Sequence, residues 1–291
     1  MPHIDVPTTK PAPSVQDALG IARHAPSVWN RQPWQWRFDA KGLHLSADPE
    51  RMSGVRDPLG RLTTLSCGVA LHHGLVALLG QGWDGAVQRF PRGPSDTLVA
   101  TVRLVPRRVI SPRDMAMFLA IEQRRTETRP LAAPAHDHGV FAALRSSTKQ
   151  HGVGITILDD HSAYLIVPSA RLPLRTERLG HWGMDPDYSA LAVLTTRHDT
   201  PRDWLRAGEA LSEALLVATS HGLATCPVVD LADREDIARE ARRCHSSDGW
   251  SEGWSEGALH HAQAVIRIGI RRYPALPRTN RRAVHDLLQC R

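Results

Sequence analysis

The chain has 291 residues, 42% of them hydrophobic and 23% charged, a balance that excludes wholesale disorder and allows one large domain or two ordinary ones. A formal net charge of +6 favours anionic partners such as phosphate-bearing cofactors. No nucleic-acid motif accompanies that charge, so no nucleic-acid partner is expected.

No apolar run reads as long enough to span a bilayer, so no membrane partner is expected. The N-terminal residues 1–13, with prolines and threonines and no apolar core, read as a flexible arm instead of a signal peptide. Cys67, Cys226, Cys244 and Cys290 have no metal or redox spacing and read as free thiols of a reducing cytosol, which makes a cytoplasmic location the expectation. Of the 16 histidines, the pairs His72-His73 and His260-His261 point to different helix faces, and His136-x-His138 sits in a loop-like stretch. None has metal-ligand spacing, so no metal is expected.

In chain order, residues 14–25 predict a helix, with Ser14 as N-cap and Val15, Ala18, Leu19 and Ala22 at helical spacing. Trp34, Trp36 and Phe38 alternate with polar residues, which predicts a strand over 34–39, and a second follows at 43–47 after the turn-like Asp39-Ala40-Lys41-Gly42. Between that helix and strand lies a turn containing Pro26 and Pro33, where no regular hydrogen-bond ladder can run. Ser27, Asn30 and Gln32 can satisfy its backbone, which is the plain reading of the stretch as a connector. Asp57 is placed to cap a helix beginning at Pro58 and running to Gly80, apolar on most of its circumference and therefore central.

Strands are predicted at 84–90, 97–104, 153–158, 190–195 and 265–270, and helices at 113–125, 137–147, 160–167, 202–221 and 233–243. Residues 248–257 carry a tandem Gly-Trp-Ser-Glu and read as a glycine-rich loop. Helix, strands, a long buried helix and strands occur in the first half, and the second half repeats them loosely. This mixed order with hairpins predicts an α+β fold. The expected division is an arm over 1–13, a first half over 14–110, and a second half over 111–291 that includes the basic C-terminal tail.

Arg124-Arg125-Thr126-x-x-Arg129 places several guanidinium groups near a hydroxyl in a short arc, which suits a phosphate; a solvated basic face with ion pairs to Glu122 and Glu127 is the alternative. The tail Arg281-Arg282-Ala283-Val284 is a second basic segment.

The string Pro26-Ser27-x-x-Asn30-x-Gln32-Pro33-Trp34 resembles the flavin-contacting loop of the nitroreductase family. With Ala25 before it, and with Asp57, Gly60-Arg61, Cys67-Gly68 and His72 further on, it looks most like the Acg-like branch, whose members are two fused nitroreductase halves. That branch usually has His where this chain has Trp29. The resemblance implies a nitroreductase-like α+β fold with two pseudo-symmetric halves around long central helices. It implies FMN as cofactor, with ring contacts from Pro26, Ser27, Asn30 and Gln32 and phosphate contacts from Arg124, Arg125, Thr126, Arg129 and Arg281. Ala283 stands where the family's tail commonly has proline.

The first half has the loop and no cradle of arginines, and the second half has the cradle and no second loop. One composite FMN site per chain, spanning the halves, is the expectation, and with it a monomer mimicking a nitroreductase dimer. The implied activity is two-electron transfer between NADPH or NADH and a small planar substrate: a nitroaromatic, a quinone or a biosynthetic intermediate. No residue is assigned as catalytic, because flavin chemistry belongs to the cofactor. The rival readings are FMN sequestration without turnover, and a specialised flavin-processing or biosynthetic oxidation. The segment 160–190 is short beside the lid of that branch, which implies a less covered flavin face.

Overall fold

The computed structural model describes residues 13–52, 54–107, 109–134, 138–158, 163, 187–247 and 260–290. The expected N-terminal arm, most of the 160–190 segment and the Gly-Trp-Ser-Glu tandem lie outside them. The fold is α+β and divides into two compact units, one of residues 1–122 with 279–291 and one of residues 123–278.

The first unit holds a five-stranded sheet of β1 (Trp34–Asp39), β2 (Gly42–Ala47), β3 (Trp83–Arg89), β4 (Leu98–Pro106) and β10 (Leu288–Cys290), in the order β10-β1-β2-β4-β3. All pairs are antiparallel except β10 with β1, where Trp36 lies opposite Leu288. The turn between β1 and β2 closes with Asp39 opposite Gly42, as the composition predicts. Gly42 has φ +121, and a Cβ there would sit 2.3 Å from the Val102 carbonyl oxygen, so only glycine fits.

Helix α1 (Pro13–Ala22) begins one residue before its expected start, and Ser14 Oγ accepts a hydrogen bond from the Trp83 indole N–H at 2.9 Å. Helix α2 (Arg61–Gly80) starts at Arg61, not at Pro58. Gly60 turns the chain in the left-handed region, and the Asp57 carboxylate reaches forward to accept from the N–H groups of Leu62 and Thr63 at 2.9 and 2.8 Å. The predicted cap is therefore real but acts across a turn. By length and composition α2 could cross a membrane, which corrects the expectation that no run is long enough; it is mostly buried inside this unit, as the core helix of a folded domain is. Gly74 on α2 faces Trp36 of β1, where a Cβ would come 3.1 Å from the indole, so a small residue lets helix and strand approach closely.

The unit boundary differs from the division expected at residue 110, for two packing reasons. Helix α3 (Pro112–Gln123) lays Phe118 over Gly80, where a Cβ would meet the ring at 2.1 Å. The tail, expected with the second half, instead contributes α7 (Val284–Leu287) and β10 to the first unit's sheet.

The second unit is built on β9 (His261–Arg271), flanked by β7 (Ala190–Thr196), with β6 (Gly154–Ile157) beyond it; β5 (Leu131–Ala132) and β8 (Ala224–Val228) also pair with β9. All these pairs are antiparallel. Helix α4 (His138–Lys149) precedes β6, and α5 (Pro201–Ser220), like α2, is 20 residues long and largely buried. Thr200 and Asp203 form a reciprocal capping box at its start. Gly222, at φ +77, stops it, with the Leu223 N–H returning to the Ala218 carbonyl. Helix α6 (Arg234–Ser247) buries Ile237, Ala238, Ala241 and Cys244 against Leu191, Val193 and Val265.

Candidate functional site

In the first unit the Pro26–Trp34 loop is built on costly backbone. Trp29, Asn30 and Gln32 have φ of 49, 56 and 50. Asparagine tolerates the left-handed region; for tryptophan and glutamine it costs about 1–2 kcal/mol each. The loop is held by several hydrogen bonds. Ser27 Oγ accepts from the Gln32 N–H at 2.8 Å, and the Val28 N–H donates to Ser66 Oγ on α2 at 3.4 Å. The Cys67 thiol donates to the Pro33 carbonyl at 3.4 Å, and Gln32 Nε2 donates to the Asn30 carbonyl at 3.2 Å.

Cys67 and Ser66 thus help hold the loop from the core helix. Burial, with the Asp48 charge adding to it, pushes the Cys67 thiol far above its ordinary range, so it is a neutral donor and not a nucleophile. Trp29 is 41% exposed, with the Arg56 guanidinium over its ring at 5.1 Å. Pro26 precedes the 3-10 turn Val28–Asn30 and is half-buried.

The C-terminal tail packs on this loop. Asn30 Nδ2 donates to the Asn280 carbonyl at 2.9 Å, and the Arg282 N–H donates to Gln32 Oε1 at 2.9 Å. Arg282 Nη1 donates to the carbonyls of Gln32 and Trp34 at 3.3 and 2.9 Å. The guanidinium of Arg281, the tail residue singled out in the sequence, donates to Thr279 and to the carbonyls of Asn280 and His24. The brace on the loop is therefore its neighbour Arg282, and nothing in the sequence separates two adjacent arginines of one tail.

Helix α3 ends at Gln123, so Arg124, Arg125 and Thr126 lie beyond it, outside any helix. Thr126 forms an isolated bridge with Thr225, and the Glu127 N–H donates to the Thr225 carbonyl at 2.9 Å, which lays the segment along β8. Arg124 is 6% exposed and donates from Nη1 to Thr126 Oγ1 at 3.3 Å; Arg125 Nη1 donates to the Arg124 carbonyl at 2.8 Å. Two guanidinium groups and a hydroxyl are thereby gathered on one short segment, the donor set an oxyanion calls for.

Arg129 is differently employed. It makes a two-pronged bond to Glu127 at 2.8 and 2.7 Å, donates to the Pro274 carbonyl at 2.7 Å and stacks on Tyr273 at 5.1 Å. Glu127 is 1% exposed. Burial works to raise its carboxyl, but hydrogen bonds from Arg129 and the charges of Arg129 and Arg271 outweigh burial and hold it below the usual carboxylate range. The ion-pair alternative thus describes Arg129 within this segment, while Arg124, Arg125 and Thr126 form the cluster suited to a phosphate.

The loop and the arginine–hydroxyl segment thus each occupy a built environment within their own unit. Comparison with known proteins shows the class to which this α+β fold belongs. No family model matches the chain. It is 30% identical to "Putative NAD(P)H nitroreductase Rv3131" of Mycobacterium tuberculosis strain ATCC 25618 / H37Rv, over 96% of this chain and 92% of that one. It is 28% identical to "Putative NAD(P)H nitroreductase acg" of the same strain, over 75% of this chain and 81% of the relative. A crystal structure of a putative nitroreductase from Anabaena variabilis shares the fold, with a TM-score of 0.51 and 10% identity over 89% of this chain and 73% of the other. The chain belongs to the nitroreductase family of oxidoreductases.

Proposed function

We propose that this protein is an FMN-dependent oxidoreductase that moves two electrons from NADPH or NADH to a small planar acceptor, a nitroaromatic or a quinone. The observation that carries the cofactor reading is the Arg124–Arg125–Thr126 segment, a largely buried guanidinium hydrogen-bonded to a hydroxyl with a second guanidinium beside it. Such a set offers planar, permanently charged donors where water is scarce, which suits a phosphate monoester better than a neutral ligand. When bound, FMN supplies hydride chemistry at its ring.

The chain's own residues hold and orient the cofactor. Arg124, Arg125 and Thr126 take the phosphate. The left-handed residues Trp29, Asn30 and Gln32 set backbone and amide groups of a neutral loop for the ring, and the exposed Trp29 face offers a platform for a planar substrate. One loop and one cradle per chain support a stoichiometry of one FMN per chain. The nicotinamide donor in this reading follows the names of the relatives.

Absorbance, flavin extraction and anaerobic stopped-flow test the proposal. The purified protein is expected to be yellow, to carry about one FMN per chain, to be bleached by NADPH or NADH, and to recolour on adding a nitroaromatic or quinone. A flavin that dithionite reduces readily and neither nucleotide reduces would overturn the turnover reading. A colourless protein that ignores added FMN would overturn the cofactor reading.

A further inference from the structure

We infer that Arg267, working with Asp187, is a positioning residue that fixes the phosphate cradle, an inference that rests on the FMN reading above. Arg267 stands in Val265-Ile266-Arg267-Ile268-Gly269-Ile270, an otherwise apolar run of the strand at the middle of the second sheet. It is 0% exposed, opposite Leu191 of β7 on one side and Cys226 of β8 on the other. A guanidinium buried at such a place is costly unless every prong is matched, and an apolar residue of similar volume serves packing as well or better. The arginine therefore needs a reason beyond the core.

Its bonds supply one. Nε and Nη2 donate to Asp187 Oδ2 at 3.1 and 2.6 Å. Nη1 donates to the Glu127 carbonyl at 3.2 Å, and Nη2 to the Arg129 carbonyl at 3.1 Å. Those carbonyls are two residues apart, the chain bends at Arg129, and one planar fork spans both. Asp187 Oδ1 in turn accepts from the N–H groups of Leu131 and Ser189 at 3.0 and 3.1 Å. From one buried point the Arg267–Asp187 pair thus grips the chain at 127, 129 and 131, directly after Arg124–Thr126.

On the other side, the Glu127 N–H is tied to Thr225. The chain is thus clamped from Thr126 through Leu131, directly after Arg124 and Arg125, and on this inference the clamp fixes where the Arg124 and Thr126 donors stand. Misplacing such donors by an ångström forfeits much of their effect.

The distinguishing measurement is the ratio of FMN to riboflavin affinity, because the two ligands differ only in the phosphate. Arg267→Lys keeps a charge for Asp187 and loses the planar fork that spans two carbonyls. It is expected to weaken FMN binding roughly tenfold while leaving riboflavin binding unchanged. If both affinities fall together, or neither moves, the inference is overturned.

Should Arg267→Lys lose cooperative thermal unfolding, Asp187→Asn carries the same comparison. The amide keeps an acceptor for Leu131 and Ser189 and drops the charge that orients the guanidinium. A selective loss of FMN supports the inference and a uniform loss overturns it. Wild-type protein that binds FMN no better than riboflavin would overturn the cofactor reading instead, so the two failures are told apart.

Discussion

The loop at Pro26–Trp34 and the cradle at Arg124–Arg129 are both short connectors, yet they are stabilised by opposite means. The loop is neutral. Its side-chain amides and hydroxyl bond to one another and to the tail, and its backbone carries three left-handed residues that are not glycine. The cradle is ionic. Its backbone carries no left-handed residue, and it is fixed by buried charges: Glu127 with Arg129, and Asp187 with Arg267. On the proposed function, the difference follows the ligand each would meet. An uncharged ring would be met by dipoles on a shaped backbone, and a phosphate by cations whose positions other buried charges enforce. A neutral loop tolerates strain because several weak bonds over-determine it. An ionic segment tolerates little change, since removing one partner leaves the other buried and uncompensated.

The sharpest way to break this contrast is at Glu127. Replacing it with alanine strands the two-pronged donors of Arg129 and removes a carboxylate that is 1% exposed, with an expected stability loss of about 3–5 kcal/mol in chemical denaturation. A loss below about 1 kcal/mol would show that the cradle is not held by charge. The same carboxyl gives a pH signature. Its folded value lies below the ordinary 4.5, so its stabilising contribution is complete above that value and disappears as pH falls through the lower folded value. Glu127→Gln is expected to flatten that part of the acid limb of a stability–pH curve.

A smaller effect is expected at Arg124. Arg124→Ala removes a charged donor, and FMN affinity is expected to drop by roughly 1.5–3 kcal/mol, measured by fluorescence titration, with riboflavin affinity held. Equal losses for both ligands would mean that Arg124 supports the unit and not the phosphate.

The smallest is on the loop. Trp29 has φ 49 and a ring 41% exposed, so Trp29→Gly relieves backbone strain but gives up the buried part of the ring and its contact with Arg56. The two effects oppose each other, so unfolding stability is expected to change by no more than about 1 kcal/mol, while the Michaelis constant for a planar acceptor rises. A clear destabilisation would place the loop among the rigidly packed parts of the unit and erase the contrast.

Much of this was legible in the sequence, because the signals were local. Alternating Trp34, Trp36 and Phe38 marked β1, the apolar circumference of Arg61–Gly80 marked a central helix, and the spacing of Pro26, Ser27, Asn30 and Gln32 marked the loop. Arginines beside a threonine marked the cradle, although Arg129 looked no different from Arg124. Strands β5, β8 and β10 were not assigned. β5 and β10 are two and three residues long, too short for a period-2 pattern to stand out, and β8 carries Pro227, which weakens a strand reading; each exists because another strand offers an edge. The signal for Arg267 is its place in the sequence: an arginine inside an apolar strand must have a buried partner.

The sequence by itself determined what is written in consecutive residues: the periodicity of the long elements, the turn chemistry, and the residue types able to meet a ring and a phosphate. The tertiary structure alone decided which charges neutralise which. Only there does Arg129 belong to Glu127, Arg267 to Asp187, and Arg282 in place of Arg281 to the loop, with the C-terminal strand joining the N-terminal sheet. The physical reason is that an ion pair or a strand pairing is fixed by distance in space between residues as far apart as 187 and 267, or 36 and 288. No spacing along the chain encodes that distance.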